Sequence, residues 1–421
     1  MISEAKNRPM GRFFGVNATS EPLVPRTWSS AAALNPAGGF AGGLGIIPGT
    51  QVDIFLSAGI AEEDGPSCDT GDQGNCGLYR VRWDLDRQRV VEVEQVAPPW
   101  RFGDLAAGIV EAAVRESDGA LVWLVRGHAR PSAGGTPWEE RGTTSLVFSD
   151  GRRVSALHSG ERPSDRPQFP WFRSESVVLF SKANRDADGL AWRNLWSVHT
   201  DGTGLRERTD FVASRISFGN PQVGTGTAAG KVLSFGLEGG RGINPNPHVT
   251  DVDGNVLEEF DLRWSDVSFQ HPAWSPSGDE IVAGRHVEQD DAYERGRRQE
   301  LLHRFTFDGD WRNRGRAFEP LKFEDFPQAF GGLAGDVIVY KYPHGCGDER
   351  HLVATVFSRA RGDGGDDRPE MSRVLLIRLP DVEGEEPTYF DLTREVAYAF
   401  PEVAGPRLWR GIFSVCRTVS A

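Results

Sequence analysis

Four kinds of side chain in this sequence have the chemistry to make a site. The first is imidazole. Among nine histidines, His271 stands out, in QHPAWSPSGDEI, because an imidazole can ligate a metal or move a proton near neutral pH; the alternative is a plain structural His-Pro. His248, His286, His303, His344 and His351 show no HxxxH or HExxH spacing. His344 and His351 do share PHGCGDERHL, a loose His/Asp/Glu cluster or else a solvated loop. The second is a run of alternating oxygens. Asn184, Asp186 and Asp188, followed by Gly189, match the front half of a calcium loop. Leu195 stands where the bidentate Glu belongs, so the other reading is an acidic turn. Ca2+ is the one cofactor suggested.

The third is sulfur. Cys68 and Cys76 bracket CDTGDQGNC, whose length and glycines allow a disulfide-closed loop; Cys346 and Cys416 then pair by elimination. Neither pair has zinc spacing. An even count in polar loops points to an oxidising compartment, periplasmic or extracellular; the alternative is four reduced thiols in the cytoplasm. The fourth is indole: Trp100, Trp138, Trp192 and Trp311 lie in or near loops, to stack on sugars, insert into a partner or pack in the core. There is no GxSxG, no P-loop and no GxGxxG after a strand, so no catalytic residue is assigned.

The elements that must hold these residues are short strands. The 421 residues include 50 Gly and 26 Pro, with 38% hydrophobic residues. That composition can bury a core and is rich in turns. No apolar run is long enough for a spanning helix. A net charge of −13 repels phosphate backbones, which disfavours nucleic acid as a partner. The opening MISEAKNRPMGRFFG has no apolar signal-peptide core, so an exported form has had its signal removed or replaced by Met1.

Repeats appear about every fifty residues. Six apolar runs read as buried central strands: VDIFLSAG, ALVWLVRGH, SVVLFSKAN, KVLSFGLE, EIVAGRHVE and DVIVYKYPH. A hairpin follows each, four with Asp-Gly at the turn: Asp150-Gly151, Asp201-Gly202, Asp253-Gly254 and Asp308-Gly309. A first strand precedes each, clearest in HPAWSPSGDEIVAGR. Four-stranded units that cannot bury both faces alone do so when packed around an axis. The expected fold is all-β, a single β-propeller of six four-stranded blades over 30–395. Residues 1–29 form an N-terminal extension and 396–421 a closing segment. GIFSV near Cys416 can complete the first blade, and RFFGV near the N-terminus the last; a seventh blade built from both termini is the alternative.

The segments HPAWSPSGDEI and LWSVHTDGTGLRERTD resemble the repeat of the TolB-like, or PD40 (WD40-like), propeller family. The resemblance is specific in two blades and weak in the other four. The family's N-terminal α/β domain is absent from this sequence. The resemblance implies an exported propeller that docks partner proteins.

Blade topology places the loops between second and third strands on one face. Here they are the long ones, at about 60–77, 129–144, 184–194, 239–246, 287–301 and 344–373, and long loops on a rigid scaffold carry function. Aligning the blades on Trp274 sets Glu111, Gln168, Asn220 and His271 at the channel mouth on that face, as a binding site or as an ordinary water-filled lining. Two functions follow. One is a protein- or peptide-binding scaffold using the long-loop face and channel mouth. The other is a metal-assisted lyase or hydrolase on acidic saccharides, with His271 and Glu111 as base and ligand. Oligomeric state is not encoded in any of these features.

Overall fold

The computed structural model describes residues 51–59, 77–97, 100–102, 105–129, 139–160, 165–185, 191–210, 218–224, 226–236, 246–259, 267–275, 277–287, 298–300, 302–306, 316–318, 337–346, 350–359, 369–380, 385–400 and 410–419. They form six antiparallel blades. Blade 1 holds β1 (Gln51–Gly59), β2 (Gly77–Asp84) and β3 (Arg89–Ala97), with β26 (Arg410–Thr418) as its innermost strand. Blade 2 runs through β4 (Trp100–Phe102), β5 (Leu105–Val114), β6 (Leu121–Ala129), β7 (Glu139–Ser149) and β8 (Val154–Gly160). Blade 3 is β9 (Pro167–Ser174), β10 (Val177–Arg185), β11 (Ala191–His199) and β12 (Arg206–Glu207). Blade 4 is β13 (Gly219–Val223), β14 (Lys231–Gly236), β15 (Asn246–Asp251) and β16 (Val256–Glu259). Blade 5 is β17 (Val267–Trp274), β18 (Glu280–Val287), β20 (Leu302–Thr306) and β21 (Arg316–Phe318). Blade 6 is β22 (Val337–Gly345), β23 (His351–Arg359), β24 (Pro369–Arg378) and β25 (Thr388–Asp391), and β19 (Arg298–Glu300) pairs parallel with the inner edge of β22.

The second strands are continuous apolar runs because both their faces are covered. Val178, Leu179 and Phe180 are consecutive in β10 and all fully buried. The cover comes from the next blade. Phe55 and Leu78 of blade 1 pack with Ala112, Leu121 and Trp123 of blade 2. Val122 and Phe148 of blade 2 pack with Phe172 and Phe180 of blade 3. Leu179 and Leu195 pack with Phe218 and Val232 of blade 4. Val282 and Leu302 of blade 5 pack with Tyr340 and Leu352 of blade 6. Another cluster joins Val353, Val374 and Leu376 of blade 6 to Val52, Ile54 and Trp83 of blade 1.

The innermost strands touch in order around the axis: β26 against β5, β5 against β9, β9 against β13, β13 against β17, β17 against β22, and β22 against β26. The ring is closed, and β26 closes it, pairing antiparallel with β1 from Val52↔Thr418 to Gly59↔Arg410. RFFGV lies outside the described residues. The expected Cys346–Cys416 disulfide is present; Cys68 and Cys76 also lie outside the described residues.

An ion cluster strengthens the same joint. Asp53 of β1 is fully buried. It accepts from Arg82 Nε of β2 at 2.8 Å and pairs with Arg417 Nη2 of β26 at 3.3 Å. Gly119 of the β5–β6 turn, at φ +75, lies under the Arg417 guanidinium, and any Cβ there would collide with it.

Three features depart from the sequence reading. DVIVYKYPH is the innermost strand of its blade, and HLVATVFSR is the central one. The long connection in blade 6 is therefore 360–368, and PHGCGDERHL belongs to the turn between first and second strands, on the opposite face. A helix, α1 (Leu392–Ala399), follows β25 and packs against β24 and β3, bridging blades 6 and 1. Its N-cap Asp391 accepts from Arg394 N at 2.9 Å, and Leu392 and Val396 face inward. In the turns at Gly151, Gly202 and Gly254 only the glycine is left-handed, at φ 81°, 85° and 88°. At the first of them the preceding Asp150 caps the turn instead, accepting from Arg152 N and Arg153 N.

Asp53→Ala removes the buried carboxylate that Arg417 and Arg82 share, and among the described residues Arg82 keeps only Glu92, at 2.9 Å. The expected loss is about 3 kcal/mol, read as a lower urea midpoint at unchanged slope. Loss below about 0.5 kcal/mol would show that the cluster does not hold the closing strand.

Candidate functional site at the channel

Each innermost strand has an equivalent register break against its second strand, and β9 has another between Phe172 and Ser174. The breaks fall between Ile109 and Glu111 in β5, Gln168 and Trp171 in β9, Gly219 and Gln222 in β13, Gln270 and Ala273 in β17, and Lys341 and His344 in β22, with the sixth between Gly411 and Phe413 in β26. Four of these bulges contain Xaa-Pro: Phe169-Pro170, Asn220-Pro221, His271-Pro272 and Tyr342-Pro343. Proline has no N–H to offer a ladder, so it fits where pairing lapses. Phe169 and His271 take left-handed backbone, at φ 51° and 50°, a costly conformation for side chains of this size. The carbonyls before two of the bulges are satisfied from the second strand: Ser181 Oγ donates to Gln168 O at 3.3 Å, and Ser234 Oγ to Gly219 O at 2.9 Å.

The bulges set the true equivalence between blades. His271 corresponds to Phe169, Asn220 and Tyr342, and Gln168 corresponds to Gln270. Alignment on Trp274 slips by one in blade 3. The residue that pairs and packs as Trp274 does is Phe172, and Trp171 takes the place of Ala273.

Two of the four expected channel residues come together. Glu111 Oε2 accepts the backbone N–H of Phe169 on the neighbouring blade, in the stretch where that strand has lost its ladder. Gln168 Oε1 accepts from Arg193 Nε of β11 at 2.8 Å. The Arg193 guanidinium lies 5.8 Å from the centre of the Phe169 ring. Burial pulls the Arg193 pKa down, and the Glu111 charge opposes that shift. Glu111, Gln168 and Arg193 thus form one network across blades 2 and 3. His271 is almost buried on the bulge of blade 5, three blades from Glu111. Asn220 occupies the bulge of β13, and its side chain is outside the described residues. Asn184 lies near the end of β10, while Asp186 and Asp188 are outside the described residues. Among the described residues no group of three or more His, Cys, Asp or Glu could hold a metal ion.

Arg193 and a second pair were not foreseen. Trp171 of β9 and His344 of β22 have ring centroids 4.9 Å apart. They belong to blades 3 and 6, opposite one another in a ring of six, so this contact crosses the axis. His344 is buried, with Nδ1 2.8 Å from the carbonyl oxygen of Gly345. Burial lowers its pKa to about 4, against the smaller opposing effect of that hydrogen bond. His344 is therefore a neutral packing residue at physiological pH. His351 sits on the second strand, not beside it in a long loop.

No protein-family model matches the chain, and no curated protein matches it. Solved structures do resemble it in fold. An oligogalacturonate lyase from Vibrio parahaemolyticus is 10% identical, with a TM-score of 0.39 over 79% of this chain and 90% of that one. Hydrazine synthase from Kuenenia stuttgartiensis is 13% identical, with a TM-score of 0.37 over 81% and 80%. An oligogalacturonate lyase in complex with manganese is 12% identical, with a TM-score of 0.37 over 82% and 97%.

Two outcomes test this geometry. A histidine whose pKa falls from about 6.5 to about 4 on folding contributes stability that is complete above pH 6.5 and is lost as pH falls toward 4. The size is about 3 kcal/mol. His344→Phe keeps a ring against Trp171 and should remove that part of the pH slope; an unchanged slope would contradict the buried placement. Glu111→Ala leaves Phe169 N–H without its carboxylate, with an expected cost of about 1–3 kcal/mol by chemical denaturation, partly recovered in Glu111→Gln.

Proposed function

We propose that the chain is an exported, TolB-like propeller that binds a protein or peptide partner through its long-loop face and channel mouth. The observation that supports this reading best is the use made of the channel's polar side chains. Glu111 and Gln168 are engaged in joining blades 2 and 3, which suits a scaffold better than a free acid or base. The connections between second and third strands span 60–76, 130–138, 186–190, 237–245, 288–301 and 360–368, and all leave from one end of the blades. They include Glu62, Glu63 and Asp64 in the first and Asp363, Asp366 and Asp367 in the last. Such a face complements a basic partner surface. Export accords with the Cys346–Cys416 disulfide. Among the described residues no helix is long and apolar enough to cross a membrane.

The test is capture of a partner from an extracytoplasmic extract on immobilised protein, followed by neutralisation of those six carboxylates to Gln or Asn. The expected result is at least a tenfold loss of the captured partner, with binding that weakens as salt rises. Equal capture by the neutralised protein would remove the proposed surface.

The second reading, a metal-assisted lyase or hydrolase on acidic saccharides, draws on one feature: His271 is held almost buried in strained backbone. Its proposed metal ligand Glu111 is turned toward Phe169 of the next blade. Elemental analysis of the purified protein with His271→Ala decides it. Absence of bound calcium or manganese, together with unchanged turnover of any substrate found, would dismiss the enzyme.

A further inference from the structure

We propose that the Cys346–Cys416 disulfide is a one-way redox latch on the closing strand. It is set by thiol–disulfide exchange that begins while β26 is away and is completed as the strand docks, and once set it prevents that strand from peeling away. This inference is independent of what the long-loop face binds.

The argument begins with connectivity. Blades 2 to 6 take their main strands from contiguous stretches of chain, whereas blade 1 takes its innermost strand from the far end. Without the disulfide, the ladder to β1 and the Asp53–Arg417 pair alone would hold β26 in place, and separation from β1 would start at the Thr418 end of the strand. Cys416 lies near that end, opposite Ile54 of β1. Cys346 follows directly after β22 of blade 6. Their bond therefore fixes this end of the strand to the neighbouring blade, closing a loop with a sequence separation of 70.

Burial makes the latch one-way. Both cysteines are fully buried, among Val52, Ile54, Val353, Val374 and Leu376. His344 covers Cys416, its carbonyl oxygen 3.6 Å and its Nδ1 4.0 Å from the sulfur, and Trp171 lies against His344 in turn. A reducing thiolate must approach a disulfide sulfur directly, and here it cannot do so until the seam between blades 6 and 1 opens. Before oxidation, by contrast, peeling of β26 exposes Cys416. Its thiolate attacks a low-molecular-weight disulfide such as oxidised glutathione, releasing one glutathione thiolate. When β26 docks, the Cys346 thiolate attacks the Cys416 sulfur of the mixed disulfide and releases the second. Two protein thiols are oxidised, one glutathione disulfide is reduced to two thiols, and the two protons leave with them.

Two measurements on the full chain test this. The first is the rate of reduction by dithiothreitol, with and without denaturant. The second is amide hydrogen exchange in Cys346→Ser and in Cys346→Ala/Cys416→Val, the latter suited to the apolar surroundings if the former folds poorly. Reduction in native buffer should be at least roughly 100-fold slower than in the unfolded chain. Loss of the crosslink should raise exchange across 410–418 on the order of 100-fold while β10 and β14 keep their protection. Native reduction as fast as in denaturant, or unchanged protection of β26 in the variants, would overturn the proposal.

Discussion

Burial of apolar surface between neighbouring blades is the constraint on which the rest depends. A single four-stranded sheet here is apolar on both faces, and each cluster described takes its members from two blades, as when Phe148 meets Phe172 or Leu179 meets Phe218. No blade is dry unless both neighbours are present, and no neighbour is last unless the ring closes. Closure is thus a condition of every blade's stability. The concentration of strong interactions at one joint follows from this: the Asp53 carboxylate between Arg82 and Arg417, the disulfide, and α1 spanning blades 6 and 1.

The channel shows a second physical trade. Bulges in the inner strands leave backbone groups without ladder partners, and the sequence supplies side chains to satisfy them. Ser181, Ser234 and Glu111 all bond to backbone groups at or beside a bulge. Polar residues near a propeller axis invite a functional reading, yet at least these three serve cohesion first.

The central strands were legible because consecutive buried residues such as Val178–Phe180 have no other explanation in a short segment. The sixth repeat was misplaced because VIVYKYPHG of β22 reads as apolar as any second strand, and its Tyr340 packs with Val282 and Leu302 of blade 5. The Xaa-Pro steps carried the true register, visible as FP, NP, HP and YP, but the more conspicuous tryptophans drew the alignment to Trp171. The helix was hidden in TYFDLTREVAYAF, where a β-hairpin strand runs directly into an Asp N-cap. Glu111 and Gln168 were found as polar residues on inner strands. Arg193 gave no signal in a chain where arginine is the common cation, since only folding brings β11 across to Gln168.

The Trp171–His344 contact also bears on mechanics. A hoop of six wedges is stiff against expansion while every joint holds, but it ovalises easily, because flattening strains each joint only slightly. A strut across the bore, joining wedges that face one another, resists that distortion. Because the two rings meet from facing wedges, loosening either one would free both sides of the hoop at once.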